Sequence, residues 1–107
     1  MSTKTKRLGL VEIEKQFGPL TFGRLLKSHR LGEELTQVEM AKQLKMSKQS
    51  LNDLEHGRKI PSIRRAIEIA RKIEVLEELV VQLILQDHVR REKLNFTVSV
   101  SKALKAS

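Results

Sequence analysis

The sequence predicts an all-α protein, because apolar residues recur at helical spacing along most of its 107 residues. Hydroxyl residues that can cap the first turn of a helix stand directly before four of these patterns, at Thr21, Thr36, Ser47 and Ser62. Only one stretch, at 95–100, alternates polar and apolar residues as a strand does. A chain of this length suffices for one domain with one modest core.

The patterns divide the chain into three parts: a basic N-terminal arm and short helix over 1–20, the main helical domain over 21–75, and a C-terminal helix and strand over 76–107. Lys4, Lys6 and Arg7 make the arm basic, and Gly18 followed by proline ends its short helix. The helices are expected over 12–17, 21–31, two short stretches after Thr36 and Ser47, 63–73, and 76–93.

The balance of charge favours a polyanionic partner. There are 21 Lys and Arg residues against 13 Asp and Glu residues, a net charge of +8, which suits nucleic acid or anionic lipid. The alternative is a soluble protein that is simply basic. The absence of cysteine excludes disulfides and thiolate metal sites, and no apolar run approaches the roughly 20 residues that span a bilayer. The N-terminus lacks the apolar stretch of a secretory signal, so we expect a cytoplasmic protein.

Residues 36–61 contain the most informative motif. Thr36 followed by Glu39 is a capping box, Ser47 can cap a second helix, and Gly57 can close that helix in the left-handed conformation. Apolar residues between these signals can point both helices into one core: Ala41, Leu44, Met46, Leu51 and Leu54. The segment therefore predicts two short helices joined by a tight turn, which is a helix-turn-helix.

The second helix of this motif carries side chains that can reach base edges in a DNA major groove: Lys48, Gln49, Ser50, Asn52 and Asp53. Gln49 can pair with adenine through two hydrogen bonds, and Lys48 can donate to guanine or to a phosphate. Asp53 would be repelled by phosphates unless it accepts from a cytosine amine. Each of these polar residues could instead lie on an ordinary solvated helix face.

A second group of residues is expected to hold the DNA backbone. Gln37 lies at the first turn of the leading helix, where free N–H groups attract a phosphate. The complete group of expected phosphate contacts is Thr36, Gln37, Ser47, His56, Arg58, Lys59 and Arg64. The alternative for Arg64 and its neighbour Arg65 is a solvated, charged helix face.

Several residues follow one another in the order and spacing of a known family: Arg30, Leu35-Thr36-Gln37, Glu39-Met40-Ala41, Ser47, Glu55-His56-Gly57 and Pro61. From about residue 25 to 75 the chain resembles the Xre/Cro-type helix-turn-helix domains of phage repressors and bacterial regulators. The resemblance implies a compact five-helix, repressor-like domain, here with an added C-terminal helix and a short strand, in a bacterial or phage protein associated with the nucleoid.

The resemblance also implies individual roles. Arg30 and Glu55 would form a buried ion pair, and Gln37 would bind a phosphate. Lys45 departs from the pattern, since it stands where the family usually has glycine. It must adopt a left-handed conformation at some cost, or the turn must differ.

The C-terminal residues predict a dimer. A lone strand leaves its backbone groups unpaired, so the strand at 95–100 would pair with its copy in a second subunit. The expected dimer contacts are Leu83, Phe96, Val98 and Val100. The alternative is a frayed tail in which the alternation is accidental.

Together these features predict a homodimeric, sequence-specific DNA-binding regulator that acts as a repressor on a palindromic operator. One alternative is an antitoxin that binds a toxin protein and regulates its own promoter; another is a DNA scaffold with weak sequence preference. An enzyme is not expected, because His29, His56 and His88 lack metal-ligand spacing and no glycine-rich phosphate loop is present. We expect no cofactor, no metal and no membrane partner.

Overall fold

The structure, a computed structural model, describes residues 18–104 and contains five helices in this range. They are α1 (Phe22–Gly32), α2 (Gln37–Gln43), α3 (Lys48–Glu55), α4 (Ile63–Ile73) and α5 (Glu77–Arg91). The all-α prediction is confirmed. The predicted arm and the short helix at 12–17 lie outside the described residues.

The first four helices begin where the sequence places their caps. The hydroxyl groups of Thr21, Thr36, Ser47 and Ser62 each accept a hydrogen bond from the backbone N–H three residues later. At α2 the capping box is complete, since the Glu39 carboxylate accepts in return from the Thr36 N–H at 2.8 Å. Losing such a cap costs about 1 kcal/mol, so these caps help to fix the residue at which each helix begins.

The helices end in a shared way, with a residue in the left-handed conformation. These residues are Glu34, Lys45, Gly57, Glu74 and Lys93, with φ between 57° and 72°. After each, the next N–H donates to the carbonyl five residues earlier, as Met46 does to Ala41 at 2.9 Å. Of the two alternatives for Lys45, the structure has the first: this residue adopts the left-handed conformation, at φ 57°.

The core lies where α1, α3, α4 and α5 meet, with α2 closing one side against α3. Its largest fully buried side chains are Phe22, Leu26, Met40, Leu44, Leu51, Ile69, Val80 and Ile84. Leu83 is also buried, with 4% exposure. The expectation that Leu83 contacts a second subunit is therefore wrong: the apolar side of α5 is needed to cover α4 and α1 of its own chain.

Gly23 allows α1 to lie directly against the end of α3. A Cβ atom at this position would overlap the carbonyl oxygen of Leu54 and lie 2.7 Å from that of Glu55. Both obstacles are backbone atoms, which cannot turn away as a flexible side chain can. This close approach brings the N-terminus of α1 to the C-terminal end of the helix that carries the candidate site.

The predicted strand at 95–100 is not present, because the described residues contain no second strand with which it could pair. Instead, the side-chain amide of Gln86 in α5 holds the segment. Its Nε2 donates to the Phe96 carbonyl at 2.9 Å, and its Oε1 accepts from the Val98 N–H at 2.7 Å. Phe96 remains 68% exposed.

The C-terminal segment runs back along α5. The pKa of Glu77, at the start of α5, is lowered chiefly by a hydrogen bond from Arg71 and more weakly by the charge of Lys102. Lys102 therefore lies near the N-terminal end of α5, whereas Phe96 lies beside Gln86 in the C-terminal half of this helix.

Candidate nucleic-acid interface

A buried ion pair fixes α3 to α1. The Arg30 guanidinium donates from Nε to Glu55 Oε2 at 2.7 Å and from Nη2 to Oε1 at 3.1 Å, and the Glu55 side chain is fully buried. The hydrogen bond to Glu55 raises the pKa of Arg30. Arg30 Nη1 also donates to the Leu35 carbonyl at 3.1 Å, which ties in the loop before α2. The ion pair that the resemblance implies is thus part of this structure.

Gln37 extends this arrangement to α2. Its Nε2 donates to Glu55 Oε1 and to Asn52 Oδ1, each at 3.1 Å. The Gln37 amide nitrogen is therefore bound inside the protein, and Asn52 has one of its polar atoms turned toward α2. Both residues help to set the angle between the two helices of the motif.

Two of the other predicted base-reading residues are more accessible. Lys48 and Gln49, in the first turn of α3, are exposed. The Ser47 hydroxyl accepts from the Ser50 N–H at 3.0 Å and donates to the Ser50 hydroxyl at 2.9 Å, so both serines are engaged at the start of the helix. The His56 ring at the other end contacts the Asn52 carbonyl through Nδ1, at 2.9 Å.

Asp53 joins the reading helix to the loop that follows it. Its Oδ1 accepts from Gln49 Nε2 and from Arg58 Nε, both at 3.0 Å, and Lys59 Nζ lies 4.0 Å from Oδ2. The hydrogen bond from Arg58 is the main reason why the pKa of Asp53 is lowered. Its backbone carbonyl accepts from the N–H groups of Arg58 and Lys59. The Asp53 carboxylate therefore contacts Gln49, a predicted base reader, and also Arg58 and Lys59, two predicted phosphate contacts.

Sequence reasoning missed two basic residues of α4 that bind the C-terminal end of α2. Arg65 in α4 donates from Nη2 to the Leu44 carbonyl at 2.5 Å, and Lys72 donates to the Gln43 carbonyl at 3.2 Å. These carbonyls end α2, where a helix has free acceptors and a negative dipole end. Arg65 is thus a cap for a neighbouring helix, whereas Arg64 is exposed. The spacing of 65 and 72 along one side of α4 is the only sequence signal.

Asp87 was also missed. A cleft of about 400 Å³ lies between the start of α1 and the ends of α3 and α5. Within it the Asp87 carboxylate accepts from the Phe22 N–H at 3.1 Å, and Arg90 lies 3.4 Å away. Burial raises the pKa of Asp87 despite these two contacts. Nothing near Asp87 in the sequence indicates this role, because its partner lies on a distant helix.

Residues 18–104 contain no group of His, Cys, Asp and Glu side chains that could hold a metal ion. None of the five helices is both long enough and apolar enough to cross a membrane.

Comparison with known proteins matches this part of the chain to one family. The helix-turn-helix family model matches residues 26–79, from the middle of α1 to the start of α5. The ImmF control region 10 kDa protein of Bacillus phage phi105 is 46% identical over 48 residues, which are 45% of this chain and 53% of that protein. The chain thus spans about half the length of this curated relative. No solved structure matches. Since the family model covers half of the chain, the protein belongs to the helix-turn-helix family, with the phage-repressor-like DNA-binding domain that its motif indicates.

Proposed function

We propose that the protein is a sequence-specific transcriptional regulator that binds its operator as a homodimer and represses transcription. The observation that carries the proposal is the state of α3: a buried ion pair holds this helix from behind, while Lys48 and Gln49 are exposed. Readout of the major groove requires a rigidly held helix whose polar side chains are exposed. The similarity to a protein whose name contains "control region" supports a regulatory role.

Base reading is assigned mainly to Gln49 and Lys48, with Ser50 and Asn52 in support. A bidentate pair of glutamine with adenine provides about 1–3 kcal/mol of discrimination. The phosphate contacts are assigned to Thr36, Gln37, Ser47, His56, Arg58, Lys59 and Arg64. Gln37 would contribute its backbone N–H at the start of α2, because both N–H groups of its side-chain amide already donate within the protein. The net charge of +8 favours association with any DNA, so sequence preference must come from the base contacts.

The homodimer is assigned to the C-terminal segment. Gln86 occupies the backbone groups of Phe96 and Val98 on one edge of this segment. In an extended chain the backbone groups of Thr97, the residue between them, point the other way, and a second copy could pair along that edge. The exposed Phe96 would then be covered. A dimer of this kind reads two half-sites about 34 Å apart on the duplex, and its presence on a promoter would exclude the polymerase.

Selection of bound duplexes from a random pool, followed by footprinting, tests the proposal. The expected result is one enriched palindrome with half-sites about 10 base pairs apart. Equal affinity for all duplexes, combined with a steep dependence on salt, would instead indicate a DNA scaffold.

A further inference from the structure

We propose that Asp53 is a positioning residue: its carboxylate fixes the Gln49 amide and the Arg58 guanidinium in one arrangement, and so links base reading to the phosphate contact. The inference deepens the proposed function and rests on it. The sequence assigns Asp53 itself to base reading, whereas its contacts favour this different role.

One of the two carboxylate oxygens of Asp53 has no capacity left for a base. Oδ1 already accepts two hydrogen bonds, from Gln49 and Arg58, and a carboxylate oxygen has two lone pairs. Lys59 lies 4.0 Å from Oδ2, and the Asp53 side chain is only 14% exposed. A cytosine amine could therefore reach only Oδ2, next to the Lys59 ammonium group. Asp53 is therefore directed toward its own protein.

The contact also determines which way the Gln49 amide faces. An ionised carboxylate can only accept, so the amide must turn Nε2 toward Asp53, as it does at 3.0 Å. The reverse orientation would bring Oε1 against another acceptor. With Nε2 fixed, Oε1 and the second N–H remain for a partner. These are the acceptor and the donor that adenine needs at its N6 amine and its N7.

The same carboxylate holds Arg58 by one nitrogen and leaves the rest of its fork free. Only Nε of Arg58 donates to Asp53, and the side chain is 52% exposed. The Nη groups can still donate to a phosphate. Because Asp53 lies between two cations, it also reduces the attraction of this loop for DNA of any sequence. Removing it should therefore tighten non-specific binding while loosening base preference.

The test measures base preference at every operator position for Asp53→Ala, Gln49→Ala and the double variant, with Gln43→Ala in α2 as a control. We expect Asp53→Ala to reduce preference about tenfold at the position that Gln49→Ala affects. The double variant should be no worse there than Gln49→Ala alone. Non-specific duplexes should bind Asp53→Ala more tightly than the wild-type protein. Loss of preference at a different position would show that Asp53 reads a base and would overturn the proposal.

A measurement without DNA separates this inference from the proposed function. The side-chain amide signals of Gln49 in a nitrogen–proton spectrum should shift in Asp53→Ala, whereas those of Gln43 should not. Unchanged Gln49 signals would overturn the positioning role, whatever the DNA results. If instead these signals shift but the wild-type protein selects no sequence, the contact stands, and both sequence-specific regulation and the link to base reading fail.

Discussion

The helix-turn-helix segment at 36–61 and the C-terminal segment at 92–104 are held in place by different means. In the first, a buried ion pair, a glutamine and basic caps from α4 tie two short helices to the core. In the second, a single side-chain amide in α5 makes both of the hydrogen bonds that hold residues 96–98. The first segment is therefore fixed within one chain, whereas the second has backbone and apolar surface to offer to a partner.

The largest effect is expected from breaking the ion pair behind α3. Arg30→Ala should destabilise the protein by about 3–5 kcal/mol, because it leaves the Glu55 carboxylate buried without its partner. Urea unfolding measures the change. A matched control is Arg71→Ala, which removes a surface ion pair worth at most about 1 kcal/mol. Equal losses in the two variants would mean that the buried pair does not fix the motif.

Gly23→Ala should cost about 1–3 kcal/mol, the usual range for overpacking, because the added methyl group meets backbone atoms of α3. Gly32→Ala is the control on the same helix. Nothing lies within 4 Å of a Cβ atom there, so alanine should be neutral or stabilising by up to about 1 kcal/mol. Thermal unfolding of both variants checks the difference. A harmless Gly23→Ala would show that α1 and α3 can separate at little cost.

Lys45→Gly should stabilise the protein by up to about 1 kcal/mol, since glycine adopts the left-handed conformation without strain. The control, Lys42→Gly, places glycine inside α2 and should destabilise by a similar amount. Chemical denaturation of both variants measures the free energy of unfolding, which should rise in Lys45→Gly and fall in Lys42→Gly. A loss of stability in Lys45→Gly would mean that the lysine side chain contributes more than its backbone strain costs.

The smallest effect on monomer stability is expected in the C-terminal segment. Deleting residues 95–107 should change the free energy of unfolding of the monomer by less than about 1 kcal/mol, because the described part of this segment, 95–104, is mostly exposed. The same deletion should abolish the dimer in sedimentation. Gln86→Ala should weaken the dimer in the same direction while keeping every residue of the segment. A truncated protein that still sediments as a dimer would place the interface elsewhere.

The contrast between the two segments also explains what could be predicted from sequence. Caps such as Thr36 with Glu39 act over three residues, and a pattern of that length is visible in the chain itself. The left-handed conformation of Lys45 was one of two alternatives that the family pattern left open, and only the structure decides between them. Gly23, Arg65 and Asp87 could not be found, because each acts on a backbone atom of a different helix.

The errors have a related cause. Alternation at 95–100 indicates that a segment could form a strand, but the hydrogen-bonding partner decides whether it does. The sequence shows the apolar side of α5, which includes Leu83, but not the α4 and α1 surfaces that this side covers, so a dimer contact is the wrong prediction for Leu83.

Asp87 of α5, whose carboxylate lies at the start of α1, affects the stability of the protein in acid. Since burial raises the pKa of Asp87 above its ordinary 3.8, the folded protein binds a proton there more readily than the unfolded chain. Its contribution to stability therefore grows as the pH falls toward 3.8. Glu39 acts in the opposite direction: Thr36 lowers its pKa from 4.5, so its contribution is complete above that pH and is lost in stronger acid. Protonation of one helix cap thus partly offsets protonation of another, whereas Asp53 and Glu77, whose pKa values are also lowered, act in the same direction as Glu39.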